Sequence, residues 1–342
     1  MIEDVLALAR IPAPTFSEEA RIAWLEERLA GAPGNRVRDR AGNLIWTWGE
    51  GRPRLLLAAH VDTVFPPGTP LEARRDGGRL AGPGVGDNAA AVAAVVHVVE
   101  RLPTSLGLAV AFTVGEEGLG NLRGAVAACE SLRPEAFVAV EGHGLEHVLA
   151  DGVGSVRASV TVRGPGGHSW VNRGRPSAVH ALMELGTALA KLGTAEAPVN
   201  VGIVSGGRSV NTIADHAELV LERRALGETP LDAFVAALEG LTVLEPLTVS
   251  IELLGRRPPG RLDRGAPLLA AVRAVRAELG LPDRLEAGST DANAALARGI
   301  PALTLGVARG DGMHTLGEWI DADSLELGAR QLELVLGRLL LA

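Results

Sequence analysis

The feature that most constrains this chain is a unit repeated through its first half: a short apolar run, a loop of acids, histidines or glycines, then an apolar segment of helical length. Leu55-Leu56-Leu57-Ala58-Ala59 reads as a buried strand, Ala89 to Leu102 as a helix and Leu108 to Val114 as a strand. Leu122 to Leu132 then reads as a helix and Phe137 to Val140 as a further strand. Strands alternating with helices predict an α/β fold. Ligand sites in open α/β sheets lie beyond the carboxyl ends of strands, and four candidate ligands stand at such ends.

The texture changes near Gly154. Ser155 to Arg163 alternates like a half-exposed strand, Ser177 to Leu192 is helical, and Val199 to Val204 and Ala217 to Arg224 are strands. Leu231 to Leu241 reads as a helix and Leu247 to Leu254 as a strand. This βαββαβ order predicts a compact second domain inserted into the first. Arg256-Arg257-Pro258-Pro259-Gly260 marks the return crossing, since Pro and Gly punctuate it. The first domain then finishes with the helix Ala266 to Leu279, the strand Ala302 to Gly306 and a last helix from Asp323. The expected boundaries are 1–153 plus 262–342 for a catalytic domain and 154–261 for the insertion. A chain of 342 residues is long enough for two domains, because single cores stop growing at about 250 to 300 residues.

Composition narrows the function classes. No apolar stretch is long enough to span a membrane, and Met1-Ile2-Glu3-Asp4 has no secretory character. Cys129 is the only cysteine, so no intrachain disulfide forms and a cytoplasmic location is expected. The net charge is −8 with no basic stripe and no Tyr, which argues against nucleic acid and for a small-molecule or peptide substrate. Lys191 is the lone lysine; a GC-rich genome explains that bias, and the arginines as a class carry no function.

Taken singly, the candidate site residues are ambiguous. His60-Val61-Asp62 places two polar side chains on one side of an extended chain, where one can bind metal while the other orients the imidazole. Gly82-Pro83-Gly84-Val85-Gly86-Asp87-Asn88 precedes a helix but follows a polar, turn-like segment, Glu72 to Arg79, which argues against a dinucleotide fingerprint. Asp87 there equally suits a plain helix cap. Glu116-Glu117 offers one carboxylate for metal and one for a proton, or an exposed acidic turn. Glu141 ends a strand, His314 lies in a glycine-flanked loop, and either position also suits a surface residue. The combination is more specific. A two-metal hydrolase needs a bridging carboxylate plus one His and one carboxylate per metal, and that set is complete.

The order His60-x-Asp62, Gly86-Asp87-Asn88, Glu116-Glu117, Glu141, Gly167-His168-Ser169 and His314 resembles the zinc aminoacylase and carboxypeptidase G superfamily, which includes peptidase T and acetylornithine deacetylase. The resemblance covers essentially the whole chain. It implies a three-layer α/β/α catalytic domain with an inserted ferredoxin-like lid that serves as the dimerisation surface. It further implies two zinc ions, with cobalt or manganese able to substitute. Asp87 would bridge them, His60 and Glu141 would complete one site, and Glu117 and His314 the other. Glu116 would be the general base, Asp62 would orient His60, and His168 would stabilise the oxyanion. A cis peptide between Asp87 and Asn88 is implied as well.

Asn211, Arg224, Ser289 and Thr290 resemble substrate contacts of the family, although Arg224 also suits a solvated strand-end charge. The substrate class is then a small peptide, with N-acyl amino acids as the alternative and a catalytically inactive binding protein as the reading from a different class. Of the remaining histidines, His97 is expected to pack in its helix, and His180 and His216 carry no chemistry. His143 and His147 lie near Glu141 without filling a vacancy. Cys129 is expected to be buried and inert.

Overall fold

In the computed structural model, which describes residues 1–48, 51–101 and 107–341, the strand Leu55–His60 is buried on both faces. Leu55, Leu57 and Ala59 join Val110 and Phe112 in a core built with the helices Ile2–Ala9, Glu19–Arg28, Ala91–Val99, Pro267–Glu278 and Ala322–Leu340. Leu56 and Ala58 join Ala109 and Ala111 in a second core with the helices Arg123–Leu132 and Ala292–Leu296. The sheet is the middle of three layers, α/β/α, as expected. Burial on both faces is why these strands read as apolar runs and not as alternating ones.

The chain divides into two units, Met1–Gly152 with Arg261–Ala342, and Val153–Gly260. In the first, the main sheet runs in the order Asn35–Arg38, Leu44–Thr47, Leu108–Thr113, Leu55–His60, Ala136–Glu141, Ala302–Gly306, Val148–Gly152. Its four central strands, from Leu108–Thr113 to Ala302–Gly306, are mutually parallel. Their carboxyl ends therefore share one edge, where His60, Glu116-Glu117, Glu141 and the loop to His314 emerge.

Some local expectations shift. The helix expected from Ala89 to Leu102 begins as a π-helical turn, Val85–Ala90, and continues as Ala91–Val99; its expected end at Leu102 lies outside the described residues. The segment Glu72 to Arg79, expected as turn-like, instead supplies Arg74–Asp76 and, with Arg79–Ala81, forms a hairpin. Trp319–Asp321 and then Gly310–Asp311 extend that hairpin into a small separate sheet. The Asp87-Asn88 peptide is cis, as the resemblance implied.

The second unit is a four-stranded antiparallel sheet in the order Val199–Gly206, His216–Ala225, Gly154–Arg163, Thr248–Arg257. Val156, Ala158, Val160 and Val162 point to one face, where Leu182 and Leu189 of the helix Ala178–Ala190 and Leu231, Phe234 and Leu238 of Glu228–Glu239 cover them. The βαββαβ order read from periodicity is present. Thr248–Arg257 runs further than expected: Arg256 and Arg257 pair with Val156 and Ser155, which leaves Pro258 to Gly260 for the crossing. Unforeseen is a short antiparallel arm in which Gly167–His168 pairs with Thr212–Ile213. Among the described residues no helix is long and apolar enough to cross a membrane.

Candidate metal centre

Seven residues expected at the site converge within the first unit. His60 is the last residue of its strand and points its Nε2 at Asp87 Oδ1, 3.0 Å away, and at Glu141 Oε2, 3.4 Å away. His314 Nε2 lies 2.9 Å from Asp87 Oδ2 and 3.1 Å from Glu117 Oε1. Each oxygen of Asp87 thus faces a different histidine. The donor atoms fall into two triplets that share Asp87, His60/Asp87/Glu141 and Asp87/Glu117/His314, and Glu116 lies with Glu117 beside His60. Glu116 and Glu117 are both buried.

The polar partners around these groups fix their directions. Asp62, fully buried, accepts from the Glu116 amide at Oδ1 (3.0 Å) and from the Glu117 amide at Oδ2 (2.9 Å). The Thr15 hydroxyl donates to Oδ2 as well. The carboxylate lies 3.6 Å from His60 Nδ1, whereas the Asp62 backbone oxygen is 3.1 Å away. The imidazole is therefore oriented mainly by the Asp62 carbonyl, and the carboxylate chiefly holds the Glu116-Glu117 turn. Asn88 clamps Glu141 from both sides, donating to the Val140 oxygen and accepting from the Gly142 amide. Beneath the site Arg21 is buried, donating to the oxygens of Ile11 and Val61. Burial pulls its pKa down to about 10 against the charges of Asp62, Asp87 and Glu318.

Charge inside the cluster is finely opposed. Burial pushes the Glu141 carboxyl up to about 7, with the His60 charge opposing, and burial raises Glu117 despite its bond to His314. Burial of Asp87 is outweighed by hydrogen bonds from His314 and His60, which hold it well below the carboxylate range. Bonds to Asp87 and Glu117 raise His314 to about 10. Burial disfavours a cationic His60, yet Glu141, Asp62 and Asp87 raise its pKa well above the ordinary value. The carboxylates therefore draw positive charge to two points. Ligands at about 2.1 Å from a tetrahedral ion stand roughly 3.4 Å apart, and the N···O separations here are 2.9 to 3.4 Å. This donor set fits two divalent cations.

The other expected site residues stand outside the two triplets. Thr290 is buried with its hydroxyl on Thr304 Oγ1 (2.7 Å), Ser289 precedes it, and Asp291 accepts from Thr113 at the end of a central strand. In the second unit the short arm brings His168 and Asn211 together: the Ser169 amide donates to the Asn211 oxygen, and His168 pairs with Thr212. His168 is exposed, and its Nδ1 accepts from the amides of Trp170 and Val171. The proton of the neutral ring is consequently on Nε2. Arg224 donates from Nε to Glu222, 2.9 Å away.

His97, expected to be packed, is only half-buried, with Arg101 against its Nε2. His143 turns to Glu318 (2.8 Å) and His147 lies 3.8 Å from Glu286. Cys129 is buried, and burial pushes its thiol up to about 12. Sequence reasoning missed Thr15, Arg21 and Glu318. Arg21 carried a signal, since it sits in the buried stripe of Ile22 and Leu25; the other two carried none.

The chain matches a peptidase family model over most of its length. The model of peptidase family M20/M25/M40 matches residues 56–338, and the chain belongs to that family. A putative [LysW]-lysine/[LysW]-ornithine hydrolase of Pyrobaculum aerophilum is 28% identical over 99% of this chain and 96% of its own. A probable carboxypeptidase of Paracoccidioides brasiliensis is 26% identical over 55% of this chain and 49% of its own. The chain spans about half the length of the carboxypeptidase relatives it matches. Aminopeptidase PepT of Bacillus cereus shares the fold with a TM-score of 0.79 at 21% identity, covering 99% of this chain and 97% of that one. A tripeptidase of Staphylococcus aureus does so with a TM-score of 0.79 at 22% identity and the same coverage.

Proposed function

We propose that this protein hydrolyses the amide bond of a small peptide with the help of two zinc ions, one held by His60, Asp87 and Glu141 and the other by Asp87, Glu117 and His314. The observation that carries the reading is Asp87, whose two oxygens face two different histidines. When bound, the ions would supply Lewis acidity at the scissile carbonyl and lower the pKa of the attacking water. Glu116 accepts the water's proton as its oxygen bonds to the carbonyl carbon, then returns that proton to the nitrogen as the C–N bond breaks. Asp62 holds Glu116 for this task through the Glu116 amide.

His168 donates a hydrogen bond from Nε2–H to the carbonyl oxygen as that atom gains charge, keeping its proton. It does so across a homodimer in which each lid serves the other subunit. Two features support this role: the tautomer fixed at Nδ1, and the exposed Trp170, Val171 and Val210 on the same arm, an apolar patch of the kind that marks interfaces. Asn211 and Arg224 contact the substrate from the lid, Arg224 by pairing with its carboxylate. Ser289 and Thr290 contribute from the loop after Gly288, whose shape is held by the Thr290 hydroxyl on Thr304 and the Thr290 amide on Asn293. The lone cysteine accords with a cytoplasmic setting.

A second reading is removal of the acyl group from an N-acyl amino acid. The relative that matches nearly the whole chain supports it, being named for [LysW]-lysine and [LysW]-ornithine and not for a dipeptide. Dipeptides, tripeptides and N-acyl amino acids assayed with zinc, cobalt and manganese separate the two. Hydrolysis is expected to vanish on chelation and return with metal. Activity that survives exhaustive metal removal refutes the mechanism.

A further inference from the structure

The loops that carry Asp87, Glu141 and His314 lie far apart in sequence, and one buried side chain touches or adjoins all three. Glu318 is fully buried. Its Oε2 accepts from the Gly84 amide at 2.6 Å, and its Oε1 accepts from the amides of Gly86 (3.0 Å) and Asp87 (2.7 Å). His143, two residues after Glu141, adds a fourth bond, Nε2 to Oε1 at 2.8 Å. The Glu318 backbone oxygen accepts from Gly82, and its amide donates to Thr315, the neighbour of His314. We propose that Glu318 is the positioning residue of the metal centre, holding the Asp87, Glu141 and His314 loops in the register that brings their donor atoms together.

The packing around it leaves no slack. A Cβ on Gly86 would stand 2.2 Å from His143 Nε2 and 2.6 Å from Glu318 Oε1, and one on Gly142 would stand 1.8 Å from the Gly86 oxygen. A Cβ on Gly310 would come within 2.9 Å of the His143 ring. Gly86 thus leaves room for the Glu318 and His143 side chains, Gly142 lets the Gly86 backbone approach, and Gly310 admits both the Trp319 oxygen and the His143 ring. The amides that Glu318 binds belong to the start of the helical stretch from Val85, where first-turn N–H groups lack intrahelical partners. An ionised carboxylate is purely an acceptor and can serve all of these donors. A glutamine of the same shape would turn an NH2 group toward N–H donors, so at least one amide would lose its partner. The backbone that aims Asp87 would then have to move.

This inference rests on the ligand assignment proposed above, and metal affinity tests it independently of turnover. Metal-free wild type and Glu318→Gln are titrated with zinc against a chromophoric chelator, and their melting is followed with and without metal. The expected result is a loss of roughly 10- to 100-fold in metal affinity, the scale for losing a partner that orients ligands, together with a smaller metal-induced rise in Tm. Unchanged affinity in a folded variant overturns the proposal. So does a metal-free Tm that falls while the metal-induced rise stays the same, since that is a purely structural role. If Glu318→Gln does not fold, His143→Ala decides: it removes one of the four bonds and must weaken metal binding, and unchanged affinity there also overturns the proposal. Wild type that binds no divalent metal is a different failure, sinking the ligand assignment itself and the inference with it.

Discussion

Loading the metal centre is expected to release protons, and their number follows from the cluster. His314 is raised to about 10, so its imidazole carries a proton in the metal-free protein at pH 8, and the carboxylates around His60 shift that imidazole in the same direction. Glu141, pushed up to about 7, is about nine-tenths ionised there. Ligation requires neutral imidazole and ionised carboxylate. Filling both positions therefore displaces about one proton from His314 at pH 8, with His60 adding to the release, and about 0.4 of a proton more at pH 7, where Glu141 is half protonated. Calorimetric titration of zinc into metal-free protein, repeated in buffers of different ionisation enthalpy, counts these protons from the slope of observed against buffer enthalpy. A slope near zero at both pH values refutes the assignment of the two histidines.

The same linkage sets how stability depends on pH. The folded pKa of Glu141 lies above its unfolded value, so its stabilising contribution is complete below about pH 4.3 and is lost as pH rises through about 7. His314 also has a raised folded pKa, and its contribution is complete below about pH 6.5 and lost as pH rises through about 10. Both groups make the metal-free protein less stable as pH rises, and metal removes that loss. The metal-induced rise in Tm is expected to grow across the interval; a rise that shrank with increasing pH would contradict the scheme.

Glu116→Gln is expected to keep both metals and lose kcat by about 10²-fold or more, whereas Glu117→Gln loses metal; reversed metal contents would exchange the two roles. Glu116→Ala and His168→Ala proteins are each expected to be nearly inactive, yet mixed subunits that exchange should recover about a quarter of wild-type activity, because half the dimers are hybrids with one intact site. No recovery, or a protein monomeric in solution, rules out the exchanged histidine.

Much of this protein was legible in its sequence, for a local reason. Leu55 to Ala59, Leu108 to Val114 and Phe137 to Val140 are apolar because both faces of their sheet are covered, so the runs alone declared an α/β core. The alternation of Ser155 to Arg163 records a strand with one covered face, which declared the second unit. The residue types of the proposed metal ligands were legible too, since each stands at or just beyond a strand end or in a glycine-marked turn, and the family resemblance ordered them. Periodicity says which side of an element is buried, but it carries no record of what arrives from a distant part of the chain. His60 and His314 meet opposite oxygens of Asp87, the Asp62 carboxylate holds amides more than it holds the imidazole, and Glu318 reaches back to Gly84, Gly86 and Asp87. Those pairings exist only once parallel strands have brought their carboxyl ends to one edge, so the tertiary structure alone decided them.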